Sequence, residues 1–175
     1  GSSASTTSGG NNIGIGYRTL YSNSIGSGNT ALGYFALSNN TEGSSNIAFG
    51  SFAAEGSSTA PVTGVNNFAA GSEALQKFTS ASYNVAIGGK SLKNISTGNS
   101  NTAIGYSSLT NLTTGGSNVG LGEDTLSYVT SGGGNTAFGY QAGSAVLVDE
   151  RSVVDTYSTF FGYRASRDSS IASTT

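Results

Sequence analysis

Residues 101–117 read NTAIGYSSLTNLTTGGS, and residues 29–45 read NTALGYFALSNNTEGSS. The two 17-residue stretches are identical at more than half of their positions, which indicates a repeated structural unit. Further copies of the same opening pentad, Asn-x-Ala/Gly-x-Gly, occur along the chain. The copies begin at Asn12, Asn29, Asn46, Asn67, Asn84, Asn101, Asn118 and Asn135, with a weaker ninth copy at Ser158. The spacing is 17 residues except for one interval of 21 and a last interval of 23, which is typical of a solenoid with insertions in its loops.

Residues at equivalent positions, counted from the first residue of each copy, share size and polarity. Position five is Gly in every copy, position three is Ala or Gly in all but the last, and position two is β-branched or Phe. Position four is apolar: Ile15, Leu32, Phe49, Ala70, Ile87, Ile104, Leu121, Phe138 and Phe161. Position nine forms a second apolar stripe: Leu20, Leu37, Ala54, Leu75, Leu92, Leu109 and Leu126. The pentad therefore alternates bulky and small residues with a period of two, as a strand does.

These columns predict an all-β fold, a parallel β-solenoid with coils of about 17 residues and two short strands in each coil. Gly, Ser, Asn and Thr between the two apolar stripes are turn residues. A helical fold is disfavoured because Gly recurs inside every candidate segment. Position twelve changes from Asn23 and Asn40 to Phe78, Ile95, Leu112 and Val129, which predicts a thicker apolar edge in the C-terminal half.

The composition excludes several classes of function. The 175 residues include 27 Gly, no His, Cys, Met or Trp, and only 9% charged residues, with a formal net charge of −2. Seven scattered Lys and Arg form no basic patch for nucleic acid, and no apolar run is long enough for membrane insertion. Without His, the chain has no imidazole base and no His metal ligand, and the adjacent pairs Asp149/Glu150 and Glu123/Asp124 would point to opposite faces of a strand. We therefore expect neither enzymatic activity nor a cofactor or metal site.

Burial of the bulky position-four column is expected to require more than one chain. One coil offers few buried apolar groups against the entropy lost on ordering 17 residues, many of them Gly. Small residues at positions three and five would let the walls of the solenoid approach closely, which leaves little internal space for position four. The sequence thus favours a homo-oligomer, with three chains the natural number for a fibre, over a monomer with these residues inside. The interface candidates are Ile15, Leu32, Phe49, Ile87, Ile104, Leu121, Phe138 and Phe161.

The pentads NTAIG, NVAIG, NTALG and NIAFG resemble the YadA-like head repeats of trimeric autotransporter adhesins and the repeats of phage tail-fibre-like proteins. The resemblance covers residues 12 to about 143 and, weakly, 158–166, although the adhesin heads have a shorter repeat. It implies a left-handed parallel β-roll assembled as a homotrimeric fibre. It also implies an extracellular location, on a bacterial cell surface or a phage virion, and adhesion to a glycan or protein of a target cell.

The repeat boundaries divide the chain into five segments. We expect a flexible tail with a cloning scar at 1–10, a β-roll of eight repeats at 11–143 with an insertion near 57–65, an insertion or cap at 144–157, a ninth degenerate repeat at 158–166, and a C-terminal tail at 167–175.

Two kinds of candidate ligand-binding residue stand out. Position six carries an interrupted column of Tyr17, Tyr34, Tyr106, Tyr140 and Tyr163, whose rings could stack on sugars or seal the rim between chains. The insertions contribute Pro61 and the charged residues Asp149, Glu150 and Arg151, as a recognition loop or as a packed cap. Two other functions stay open: a structural fibre spacer, and an ice-binding surface, for which the Thr array at position two is too interrupted to be favoured.

Overall fold

The computed structural model describes residues 9–144 and 156–166. Within these residues, the regular secondary structure consists of nine strands of three residues each, which form one parallel sheet in sequence order. The strands are β1 (Ile13–Ile15), β2 (Thr30–Leu32), β3 (Ile47–Phe49), β4 (Phe68–Ala70), β5 (Val85–Ile87), β6 (Thr102–Ile104), β7 (Val119–Leu121), β8 (Thr136–Phe138) and β9 (Thr159–Phe161).

Each strand pairs with the strands of the coils before and after it, in the register that the repeat predicts. Ala103 of β6, for example, lies opposite Ala86 of β5 and Gly120 of β7. The chain is therefore a parallel β-solenoid with about 17 residues in each coil, as the spacing predicts. Nine strands at about 4.8 Å separation give a sheet roughly 40 Å long.

The prediction of two strands in each coil is wrong, because the apolar stripe at position nine lies in turns. Positions seven and nine both have positive φ, for example 54° at Ser107 and 53° at Leu109. An extended strand cannot form where two positions out of three have a positive φ. The turn nevertheless carries Leu109 into the interior, where it is fully buried. The backbone of the turn bonds to the neighbouring coil, as from Leu109 N–H to the Thr125 carbonyl at 2.8 Å.

Glycine at position five ends each strand and allows the coils to approach closely. Gly105 has a φ of +133°, and a Cβ at this residue would lie 2.3 Å from the carbonyl oxygen of Gly122 in the next coil. No side chain fits at that distance. The repeated glycine therefore accommodates contact between successive coils rather than contact between opposite walls of one coil.

The core is a thin layer between the small residues at position three and the stripe at position nine. Ala103 and Leu109 are both fully buried, as are most of their equivalents. Position three becomes Gly where position eight is Thr, because a Cβ at Gly14 would lie 2.9 Å from Thr19 Oγ1 and one at Gly120 would lie 2.7 Å from Thr125 Oγ1. Two neighbouring columns thus change together to keep the packing constant.

The asparagines at position one form a buried ladder along the solenoid. The side-chain oxygen of Asn84 accepts hydrogen bonds from the backbone N–H and the Nδ2 of Asn101, at 2.9 and 3.0 Å. Asn101 Nδ2 also donates to the Gly115 carbonyl, 2.9 Å away in its own coil. The amides from Asn12 to Asn118 therefore each link two coils and close one of them, which explains the repeated Asn at the start of the copies.

The side chains at position twelve confirm the predicted thicker apolar region in the C-terminal half. They belong to the buried core there. Phe78, Ile95, Leu112 and Val129 are fully buried. The buried Asn40 occupies the same position in the N-terminal half, and its Oδ1 has no hydrogen-bond partner among the described residues. Its Nδ2 donates to Asn23 Oδ1 and to the Gly43 carbonyl.

Replacing both buried amides by leucine is expected to stabilise the protein. Gly43 and Gly26 keep other donors, Asn29 Nδ2 and Asn12 Nδ2, so Asn23→Leu with Asn40→Leu leaves no new unpaired carbonyl. We expect the free energy of unfolding to rise by about 1–3 kcal/mol, measured by urea denaturation. The reverse change in the C-terminal half, Leu112→Asn, serves as the control and should destabilise. A double variant less stable than the parent would refute this description of position twelve.

Irregular coils keep the core continuous. In the first insertion, the exposed Pro61 is followed by the buried Val62, which bridges to Asn40 of the preceding coil. In the ninth copy, Phe160 replaces the usual Ala and its ring lies near Gly143, where position nine lacks a side chain.

Candidate binding surfaces

The position-four column lies on the outside of the solenoid. Ile104 is 39% exposed and Phe161 73% exposed, and most other members of the column are exposed as well. The alternative that these side chains fill the interior of a single chain is therefore wrong. The physical reason is the period of two, which points position three into the core and position four away from it.

The column is continuous along the sheet. The parallel register places equivalent side chains side by side, as in Ile87, Ile104 and Leu121. Phe138 and Phe161 stack at a ring-centroid distance of 5.1 Å with an interplanar angle of 6°. Half-buried residues of position two border the column in most coils, for example Thr102 and Val119. One face of the protein therefore presents an apolar strip without a charged side chain at positions two and four.

The predicted tyrosine column is exposed but discontinuous. Tyr17 stacks on Tyr34, and Tyr140 stacks on Tyr163, each at a centroid distance of 5.5 Å. Tyr106 instead lies beneath the Lys90 ammonium, whose Nζ is 5.8 Å from the ring centroid. The structure thus groups the five tyrosines as two stacked pairs and one separate ring. Of the other predicted residues, Pro61 lies in an exposed loop, whereas Asp149, Glu150 and Arg151 lie outside the described residues.

A second surface is formed by positions seven, ten and eleven, on the turn side of each coil. In the first three coils it is aromatic: Phe35 and Phe52 of position seven stack at 5.6 Å, and Tyr34 of the neighbouring position six packs edge-on against both. The Arg18 guanidinium lies 5.0 Å from the ring centroid of Tyr21 and 5.5 Å from that of Phe35. The turn surface is therefore filled by large side chains at this end.

In the fourth and fifth coils an ion pair fills the same surface. Lys93 Nζ donates to Glu73 Oε2 at 2.5 Å, with side chains 26% and 29% exposed. This hydrogen bond lowers the pKa of Glu73 below its ordinary 4.5, against the opposing effect of desolvation and with help from the charges of Lys93 and Lys90. Gln76 Nε2 also donates to Glu55 Oε2 at 2.9 Å.

The ion pair predicts a small pH dependence of stability. Because the pKa of Glu73 is lower in the folded chain, the pair stabilises the fold above pH 4.5, and this contribution disappears as pH falls through the lowered pKa. We expect Glu73→Gln to cost about 0.5 kcal/mol or less at pH 7, given the partial exposure, and nothing in strong acid. Urea unfolding of variant and parent at both pH values measures this. An equal cost at both would contradict an electrostatic origin.

In the sixth to eighth coils the turn surface opens into a polar groove of about 300 Å³. The side chains at position seven are either short or uncharged there: Ser107, Asp124 and Gln141. Thr110, Ser127 and Ser144 line the groove from position ten, and Asn111 and Tyr128 line it from position eleven.

Only one residue of the Glu123/Asp124 pair lines the groove. Asp124 lines it and Glu123 does not, although both follow β7 in a turn rather than lying on a strand. Within residues 9–144 and 156–166, no three His, Cys, Asp or Glu side chains are grouped so that they could hold a metal ion. The same residues contain no helix that is long and apolar enough to cross a membrane.

Comparison with protein-family models, with curated proteins and with solved structures gives no match. Sequence reasoning did not find the groove or the asparagine ladder. The signal for the groove was the change at position seven from Phe35 and Phe52 to Ser107 and Asp124. The signal for the ladder was the repeated Asn itself, which served only to align the copies.

Proposed function

We propose that this chain is the shaft of a homotrimeric, non-enzymatic adhesive fibre, exposed on a bacterial cell surface or a virion, that recognises a cell-surface glycan or protein. The observation that carries the proposal is the exposed position-four strip, which runs the length of the sheet. Large exposed apolar patches on soluble proteins mark interaction sites. Each coil adds one more side chain to this strip, so its contact area grows with the length of the rod.

Other copies of the same chain are the best partner for this strip. Its side chains repeat once per coil, and an identical chain in register offers the same spacing along the whole contact. The strip carries no charge, so identical copies do not repel one another there. Three chains around an axis place each position-four column between two neighbours and cover both of its flanks. Two chains would leave those flanks partly exposed to solvent. The left-handed trimeric β-roll of the YadA-like heads provides the analogy.

Assembly would leave the turn surface facing outward in three copies. Weak binding at one copy would then be multiplied by simultaneous contacts with one target surface. The proposed adhesion therefore depends on the assembled fibre more than on the affinity of one site.

An adhesion assay tests the function. Beads coated with the protein should adhere to target cells more than beads coated with the Ile104→Asp variant, and free protein should compete. Equal, low adherence of both bead types to every cell type tested, with the parent protein still trimeric, would refute adhesion and support the alternative of a purely structural fibre spacer.

A further inference from the structure

We propose that the polar groove of the sixth to eighth coils is the glycan-binding site, and that it takes a neutral sugar residue. The proposal rests on the proposed adhesive function and deepens it. It places ligand recognition on the turn surface of these three coils rather than on the tyrosine column or the charged residues of the insertion.

The groove is a local departure from a repeat that otherwise fills this surface. Stacked Phe35 and Phe52 occupy it near one end, and the Glu73–Lys93 pair occupies it in the middle. A rod needs identical neighbours for stability, so a set of coils that gives up these contacts needs another reason. The volume of the groove, about 300 Å³, lies at the lower limit of ordinary ligand pockets and suits one sugar residue.

Some polar groups of the groove already form hydrogen bonds within the described residues, and others can bond a ligand. Asn111 Nδ2 donates to the Ser127 carbonyl at 2.8 Å, which fixes its side chain. Gln141 Oε1 accepts from Arg164 Nε at 2.9 Å, which leaves the Nε2 hydrogens of Gln141 available as donors. Among the described residues, no side chain forms an ion pair with the Asp124 carboxylate.

This set of groups matches the chemistry of a neutral sugar. A carboxylate accepts hydrogen bonds from two neighbouring hydroxyls, and these charge-assisted bonds are the strong ones. The amide of Gln141 can donate to a ring or hydroxyl oxygen. Tyr128, 46% exposed, offers a ring face to the apolar side of a pyranose while its hydroxyl stays in water. Among the described residues that line the groove, Asp124 is the one charged side chain, and the neighbouring Arg164 guanidinium is held by its bond to Gln141, so an anionic sugar would meet the negative charge of Asp124 at the lining itself.

The experiment is an NMR titration of the ¹⁵N-labelled protein with the methyl glycosides of glucose, galactose, mannose and N-acetylglucosamine, with N-acetylneuraminic acid as the anionic comparison. We expect at least one neutral glycoside to give saturable shifts at residues 107–111 and 124–128, with a Kd on the order of 1 mM for so small a ligand. N-acetylneuraminic acid should give none. No saturable shift with any neutral glycoside, or shifts confined to the tyrosine column, would overturn the proposal.

Two matched variants test the role of the carboxylate. Asp124→Asn should weaken binding about ten-fold or more, and it should fold because Asn tolerates the positive φ of 54° at this residue. Glu123→Gln makes the same change of charge on the exposed neighbour and should bind as the parent does. Equal affinity of both variants would refute the assignment of Asp124.

The adhesion assay separates this proposal from the function on which it rests. If beads coated with the parent protein adhere to cells and the Asp124→Asn beads adhere equally well, the groove is refuted and adhesion stands. If the parent beads do not adhere but the titration shows saturable binding in the groove, adhesion is refuted and the sugar site stands.

Discussion

Gly105→Ala is expected to destabilise the solenoid by about 4 kcal/mol or more, which is a large part of the stability of an ordinary domain. The added Cβ would lie 2.3 Å from the carbonyl oxygen and 2.5 Å from the carbonyl carbon of Gly122. Both are backbone atoms of the next coil, which cannot move without disturbing the hydrogen bonds between coils. The φ of +133° adds strain for any residue with a side chain. Urea denaturation followed by circular dichroism measures the effect.

Gly162→Ala is the matched control, because it has the same place in the pentad without the neighbour. Its φ is +119°, but no atom of the described residues lies within 4 Å of a Cβ built there. We expect a cost of only about 1–2 kcal/mol from the backbone strain. If the two variants lose the same stability, the close approach between coils is not the reason for glycine at position five.

Ile104→Asp is expected to convert the assembly into single folded chains. Ile104 is 39% exposed in the single chain, so a charge there is compatible with the coil itself. In the proposed trimer the same substitution would bring three carboxylates together in an apolar interface, and the cost of burying them unpaired exceeds what the contact can offset. The molar mass should fall to that of one chain, 17.4 kDa, while the far-ultraviolet circular dichroism is retained.

Thr97→Asp controls for the added charge. Thr97 is exposed in a turn of the preceding coil, away from the position-four strip, so this variant should keep the mass of the parent. An Ile104→Asp protein that stays at the parental mass would show that the fourth column does not face another chain.

The sequence predicts the solenoid well because its main signals are columns. Gly105 and its equivalents recur in phase, and only a stack of coils gives such a column one common environment. The alternation of Thr102, Ala103 and Ile104 also predicts which side chains face outward. Both inferences depend on periodicity alone, which is visible in a single sequence.

The prediction was wrong where local geometry departs from that periodicity. The stripe through Leu109 looks like a strand because it is apolar and repeated, but the positive φ of Ser107 and Leu109 cannot be predicted from residue types that usually avoid it. The groove was missed for a different reason. Ser107, Asp124 and Gln141 belong to three different coils, and only the stacking of those coils brings them to one place.

The molar mass of the protein in solution, by size-exclusion chromatography with multi-angle light scattering, tests the central claim most directly. The proposed fibre predicts three times the 17.4 kDa of one chain, unchanged on dilution through the micromolar range. A mass of one chain, with the position-four side chains left in water, would contradict the trimer and remove the support for an adhesive shaft.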